Sequence, residues 1–134
     1  MIRMKAGFRV KGYVPTVVDG LRFMSKLEAR WYSWLQDQRR AGLISDLEVH
    51  PRYEIQPKFE KEGKKERAIT YTADFLITYP DGLVEAIDVK GFSTPEFIRT
   101  KKMFDFKYRT LHLSVVKGAP SWAKLINARE GVHR

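Results

Sequence analysis

No cysteine occurs among the 134 residues, which excludes a disulfide scaffold, a thiol nucleophile and every thiolate metal site. Long apolar runs are missing as well. The opening stretch MIRMKAGFRVKGYVP has none long enough for a signal peptide, and nothing later approaches the ~20 apolar residues of a membrane span. Neither an internal repeat nor a low-complexity tract interrupts the chain. A soluble, cytoplasmic protein with no membrane association is the expectation. Acid is the minority charge, 16 Asp+Glu against 25 Lys+Arg, for a formal net charge of +9.

What is present suits one core: 43% of the residues are hydrophobic and 13% aromatic, in a length that accommodates a single domain. Residues 1–20 read as a basic N-terminal arm punctuated by Gly7, Gly12, Pro15 and Gly20, and residues 21–134 as one domain. The positive charge is dispersed over Arg3, Lys5, Arg9 and Lys11, then Lys61, Lys64, Lys65 and Arg67, then Arg99, Lys101, Lys102, Lys107 and Arg109. A membrane surface would favour concentration on one amphipathic helix. Separated clusters that meet only after folding suit a phosphate backbone, so nucleic acid is the expected partner. The plainer alternative is a basic surface without a ligand.

Periodicity predicts an α/β fold. Ser25-x-x-Glu28 opens a helix whose stripe is Leu27, Trp31, Trp34 and Leu35, closed by Gly42. Leu47 to Ile55 alternates as one strand, with Pro51 implying an edge or a bulge. Phe59 to Arg67 is a charged, hairpin-like loop around Gly63. Ile69–Tyr79 and Leu83–Lys90 form a hairpin about Pro80-Asp81-Gly82. A second helix runs from Thr94-Pro95-Glu96 to about Lys107; a strand follows at Thr110–Val116, then a short helix over Pro120–Ala128. A helix crossing between strands implies a mixed β-sheet flanked by helices. The three tryptophans belong to apolar stripes and read as core, and His50, His112 and His133 show no metal or triad spacing.

Two acids interrupt apolar runs. Asp74 lies within Ala73-Asp74-Phe75-Leu76-Ile77 and Asp88 between Ile87 and Val89; a half-buried acid needs a cation, a metal or several hydrogen bonds. On adjacent strands the two can converge, and Lys90 points to the side of Asp88. That combination suits phosphodiester hydrolysis assisted by Mg²⁺ or Mn²⁺. A salt bridge between either acid and Lys90 accounts for the same spacing. Glu28 has two readings too: the acid of a capping box bonded to the Ser25 backbone, or, about 20° from Leu35 on the helical wheel, a residue facing the acids.

These residues resemble the PD-(D/E)XK, restriction-endonuclease-like superfamily: helical Glu28, then Asp74, then after thirteen residues Asp88-Val89-Lys90. Val18 to Phe23 running into Ser25 to Arg30, Gln56-Pro57-Lys58-Phe59, Thr72-Ala73-Asp74-Phe75 and Asp88-Val89-Lys90-Gly91 are similar to a family of small phage and prophage proteins described as Holliday-junction-resolvase-like nucleases. The resemblance implies a restriction-endonuclease-like core with Asp74 and Asp88 as Mg²⁺ or Mn²⁺ ligands. It also implies a Val89 backbone carbonyl on the metal, Lys90 as catalytic lysine and Glu28 as the supporting acid. Ala73 replaces the signature proline, and Asp88 the commoner glutamate.

The implied activity is structure-selective cleavage of branched DNA in a bacterial or phage-infected cell, by a homodimer without organic cofactor. Gln56, Lys58, Lys64, Lys65, Lys101 and Lys102 are the expected nucleic-acid contacts. Glu85 is a reserve ligand should a bulge shift the register. The alternatives are a nuclease for flaps, ends or single strands, or a non-catalytic DNA-binding accessory protein of the same fold.

Overall fold

The computed structural model describes residues 15–126. The first fourteen residues of the expected arm, His133, and the end of the expected terminal helix lie outside them. The described chain is a mixed α/β structure. A hairpin of β1 (Thr16–Val18) and β2 (Leu21–Phe23) leads into α1 (Lys26–Arg40). Next come β3 (Asp46–Val49), β4 (Arg52–Gln56), β5 (Phe59–Lys61), β6 (Lys64–Glu66), β7 (Ile69–Thr72), β8 (Phe75–Thr78) and β9 (Val84–Val89). Helix α2 (Pro95–Lys107) and strand β10 (His112–Val116) follow, and a single 3₁₀ turn spans Trp122–Lys124.

The main sheet has the order β10-β9-β8-β3. β3–β8 and β8–β9 are antiparallel pairs, whereas β9 and β10 are parallel and joined through α2. Strand alternation divides the core in two. Phe75, Ile77, Tyr79 and Ile87 pack with Phe23, Trp31 and Leu35 on the α1 side. Ala86 and Leu113 pack with Tyr71 and Phe104 on the α2 side. Trp31 is fully buried, and Trp34 and Trp122 pack against the same core, as their helical stripe predicts. No helix among the described residues is long and apolar enough to cross a membrane.

Three sequence expectations require correction. The arm does not extend to residue 20: β1 pairs with β2 about Asp19-Gly20, both at positive φ (52° and 76°), the backbone that a two-residue hairpin turn demands. The Tyr32 hydroxyl donates to Asp19 Oδ2 at 3.0 Å, tying this hairpin to α1. The run from Leu47 to Ile55 is two strands rather than one, as is Ile69–Tyr79; β4 and β7 form a separate two-stranded sheet. Of the expected terminal helix, the described residues form a 3₁₀ turn at Trp122–Lys124 and are helical again at Ile126, with Leu125 between them buried in the α1-side core.

Candidate metal centre

Both long strands break at the same level. His50 has φ +56°, a left-handed conformation uncommon for a side-chain-bearing residue, and Pro51 follows with no N–H to offer. The register is unchanged across the break, with Val49 opposite Phe75 and Arg52 opposite Thr72. His50 and Asp74 therefore face each other, and the His50 N–H donates to the Asp74 carbonyl at 2.9 Å. On its other side Asp74 donates its own N–H to the Ile87 carbonyl at 3.1 Å, and its Oδ2 accepts from the Val89 N–H at 2.6 Å. A carboxylate thus stands in for a backbone acceptor where β8 gives out.

The first turn of α1 brings Glu28 to this break. Ser25 caps the helix by accepting from the Glu28 N–H at 3.1 Å. Glu28 reaches back to the Met24 N–H at 3.3 Å, one residue before the Ser25 backbone that a capping box predicts. The same Oε1 lies 3.4 Å from His50 Nε2. Capping and approach to the acids are therefore both realised. Glu28, His50 and Asp74 each place one potential ligand atom within 4.8 Å of the others.

Asp88 lies on the next strand, 3% exposed, and outside that group of three. Its Oδ2 accepts a short hydrogen bond from the Tyr71 hydroxyl, and its Oδ1 is 3.5 Å from Lys90 Nζ. The Lys90 ammonium also sits 4.3 Å above the Phe97 ring. The salt bridge weighed for Asp88 and Lys90 is thus formed. Burial, with Asp88 beside it, drives the Tyr71 hydroxyl far above its ordinary pKa, so it stays a donor.

Electrostatics separates the two central acids. Burial first, then the hydrogen bond with Glu28 and the charges of Asp88 and Glu28, raise Asp74 well above the carboxylate range; the Val89 N–H opposes them. For Glu28, burial acts upward, but hydrogen bonds with His50 and Asp74, the His50 charge and the Met24 N–H outweigh it, so its pKa is lowered. The Asp74 contribution has a definite sign. Folded Asp74 holds a proton that the unfolded chain has released above about pH 4, so this group costs stability as pH rises from there through its folded pKa. Asp74→Asn, whose amide oxygen can still accept from Val89, is expected to stabilise the metal-free protein by about 1 kcal/mol at pH 8. Thermal melts in a chelator should show that gain vanish below pH 4.

Of the expected nucleic-acid contacts, Gln56 and Lys58 are exposed at and after a bulge that ends β4. Lys64 and Lys65 are on β6, within a β5–β6 hairpin that matches the hairpin-like segment expected around Gly63. Lys101 pairs with Asp105 at 2.6 Å on α2, and Lys102 is exposed. Among the described residues no hydrogen bond or ion pair joins these six to Glu28, His50, Asp74 or Asp88. Glu85 is far from any ligand role, fully buried on the α1 side with Tyr79, Ser114 and the Ile126 N–H as donors. Sequence reasoning missed His50 and Tyr71. Only the pairing of His50 with Asp74 could have singled it out, and that pairing is invisible without the register.

The chain belongs to the family described as Protein of unknown function (DUF1064), whose model matches residues 11–123. No curated protein and no solved structure matches it.

Proposed function

We propose that this domain is a metal-dependent DNA endonuclease with a restriction-endonuclease-like core, acting on branched DNA such as a four-way junction. The observation that carries the reading is the convergence of Glu28 and Asp74 beside the strand that bears Asp88, Val89 and Lys90. The element order supports it: a helix, antiparallel strands, then a helix crossing to a parallel strand.

The donor set fits a hard divalent cation. Burial, then the hydrogen bond with Glu28 and the charges of Asp88 and Glu28, raise the Asp74 pKa, and a proton or a cation between such close carboxylates relieves their repulsion. Asp74, Asp88, the Val89 carbonyl and Glu28 would hold Mg²⁺ or Mn²⁺. When bound, such an ion supplies Lewis acidity toward a phosphate oxygen and lowers the pKa of a water. Lys90 is the group that would orient that water or stabilise charge on the phosphate. Its ammonium lies 3.5 Å from Asp88 Oδ1 and 4.3 Å above the Phe97 ring.

Recognition would rest on phosphate contacts by Lys58, Lys64, Lys65, Lys101 and Lys102, with Gln56 at the bulge, which favours shape over base sequence. Paired cuts across a junction call for two sites, hence a homodimer. Incubating the full chain with a labelled four-way junction and its linear duplex, in Mg²⁺, Mn²⁺ or EDTA, tests the reading. Paired incisions of the junction in either metal and none in EDTA are expected. Preferential cutting of flaps, ends or single strands would reassign the substrate. Salt-sensitive binding with no cleavage would instead favour a DNA-binding accessory role. That second reading has one observation behind it, since Tyr71 and Lys90 already engage both Asp88 oxygens.

A further inference from the structure

We infer that His50 is a protein ligand of the bound cation, and that the centre takes a first-row transition dication in preference to Mg²⁺. This rests on the proposed metal site and adds to it a ligand and a metal class. The imidazole is well placed: Nε2 lies 3.4 Å from Glu28 Oε1, and the ligand atoms of Glu28, His50 and Asp74 are mutually within 4.8 Å. Donors around one ion at bond lengths near 2.1 Å are about 3–4.2 Å apart, so closing the set needs only small side-chain adjustments.

The backbone puts the ring there. Val49 packs toward α1, and a continuing strand would send residue 50 to the opposite side. The left-handed φ of His50 cancels that alternation, leaving its ring 5.8 Å from the buried Phe23 ring and beside Glu28. With 27% of its side chain exposed, it remains reachable by an ion from solvent. Oxygen donors alone leave Mg²⁺ competitive, whereas an imidazole nitrogen shifts affinity along the series from Mn²⁺ toward Co²⁺ and beyond. The plainer role for His50 is an ion pair that steadies Glu28.

Calorimetric titration of the full chain with Co²⁺, Mn²⁺ and Mg²⁺, with Co²⁺ absorption spectra, separates these. Wild type should bind Co²⁺ more tightly than Mg²⁺. His50→Ala should lose at least the ~10-fold in Co²⁺ affinity that even an outer-sphere partner is worth, shift the Co²⁺ spectrum, and leave Mg²⁺ affinity within about twofold. His50→Gln, which keeps a hydrogen bond to Glu28, serves if the alanine variant does not fold. Unchanged Co²⁺ affinity and spectrum in a folded His50 variant overturn this inference alone, provided Asp74→Ala abolishes binding of every metal. If wild type binds none, or Asp74→Ala binds as wild type does, the metal site itself is refuted along with it.

Discussion

If the proposed nuclease activity holds, Asp88→Asn should lower metal-dependent cleavage of a four-way junction by about a thousandfold, on the order of 4 kcal/mol of transition-state stabilisation. Junction binding at low salt should stay within about twofold of wild type, since the proposed function assigns it to lysine and arginine contacts. Asparagine is the informative choice. Asp88→Ala would also strip the buried Tyr71 hydroxyl of its acceptor, a loss of roughly 1–3 kcal/mol in stability that would confuse folding with chemistry. Asparagine keeps an oxygen for Tyr71 while removing the charge that a cation and Lys90 both require. Gel cleavage assays and binding isotherms on the same preparations check both halves. Wild-type rates in Asp88→Asn would sink the assignment of Asp88 to the metal.

Glu85→Ala should produce a large loss of stability. Glu85 is fully buried and accepts from the Tyr79 hydroxyl, the Ser114 hydroxyl and the Ile126 N–H. Truncation orphans three donors and leaves a cavity. At about 1 kcal/mol or more for each donor the loss is at least ~3 kcal/mol, or about 12 °C in Tm for a chain of this size. Glu85→Gln keeps one acceptor and should lose less. Both variants should bind metal as wild type does wherever they remain folded, because Glu85 belongs to the opposite core from Asp88. Denaturant melts read the first effect and metal titration the second. An alanine variant within ~1 kcal/mol of wild type would show that these donors find water instead.

Several elements were legible because they depend on local rules. The capping serine and apolar stripe of α1, the Pro80-Asp81-Gly82 turn, and proline at the start of α2 each act within a few residues. So does the alternation that sends Phe75, Ile77 and Tyr79 to one core and Asp74 to the other side. The Asp19-Gly20 hairpin was equally local and was overlooked because glycine and proline nearby suggested a loose arm. The breaks in the two long strands are different in kind. Leu47, Val49, Tyr53 and Ile55 keep one alternating pattern through His50 and Pro51, so only Pro51 marks an irregularity there, and the alternation does not say that one sheet ends and the next begins.

By itself the sequence determined a basic, cysteine-free α/β domain with acids set into apolar strands. It also singled out Asp74 and Asp88 as acids that need partners, though not Glu85, which is fully buried. Which atoms those acids meet was decided only by the tertiary structure. A shared register placed His50 opposite Asp74, a left-handed residue turned the imidazole toward α1, and the capping turn delivered Glu28 to the same point. The physical reason is one of range. Propensity and alternation act between neighbours in the chain, while the cluster of Glu28, His50 and Asp74 is a few-ångström coincidence that only strand pairing and helix docking can produce.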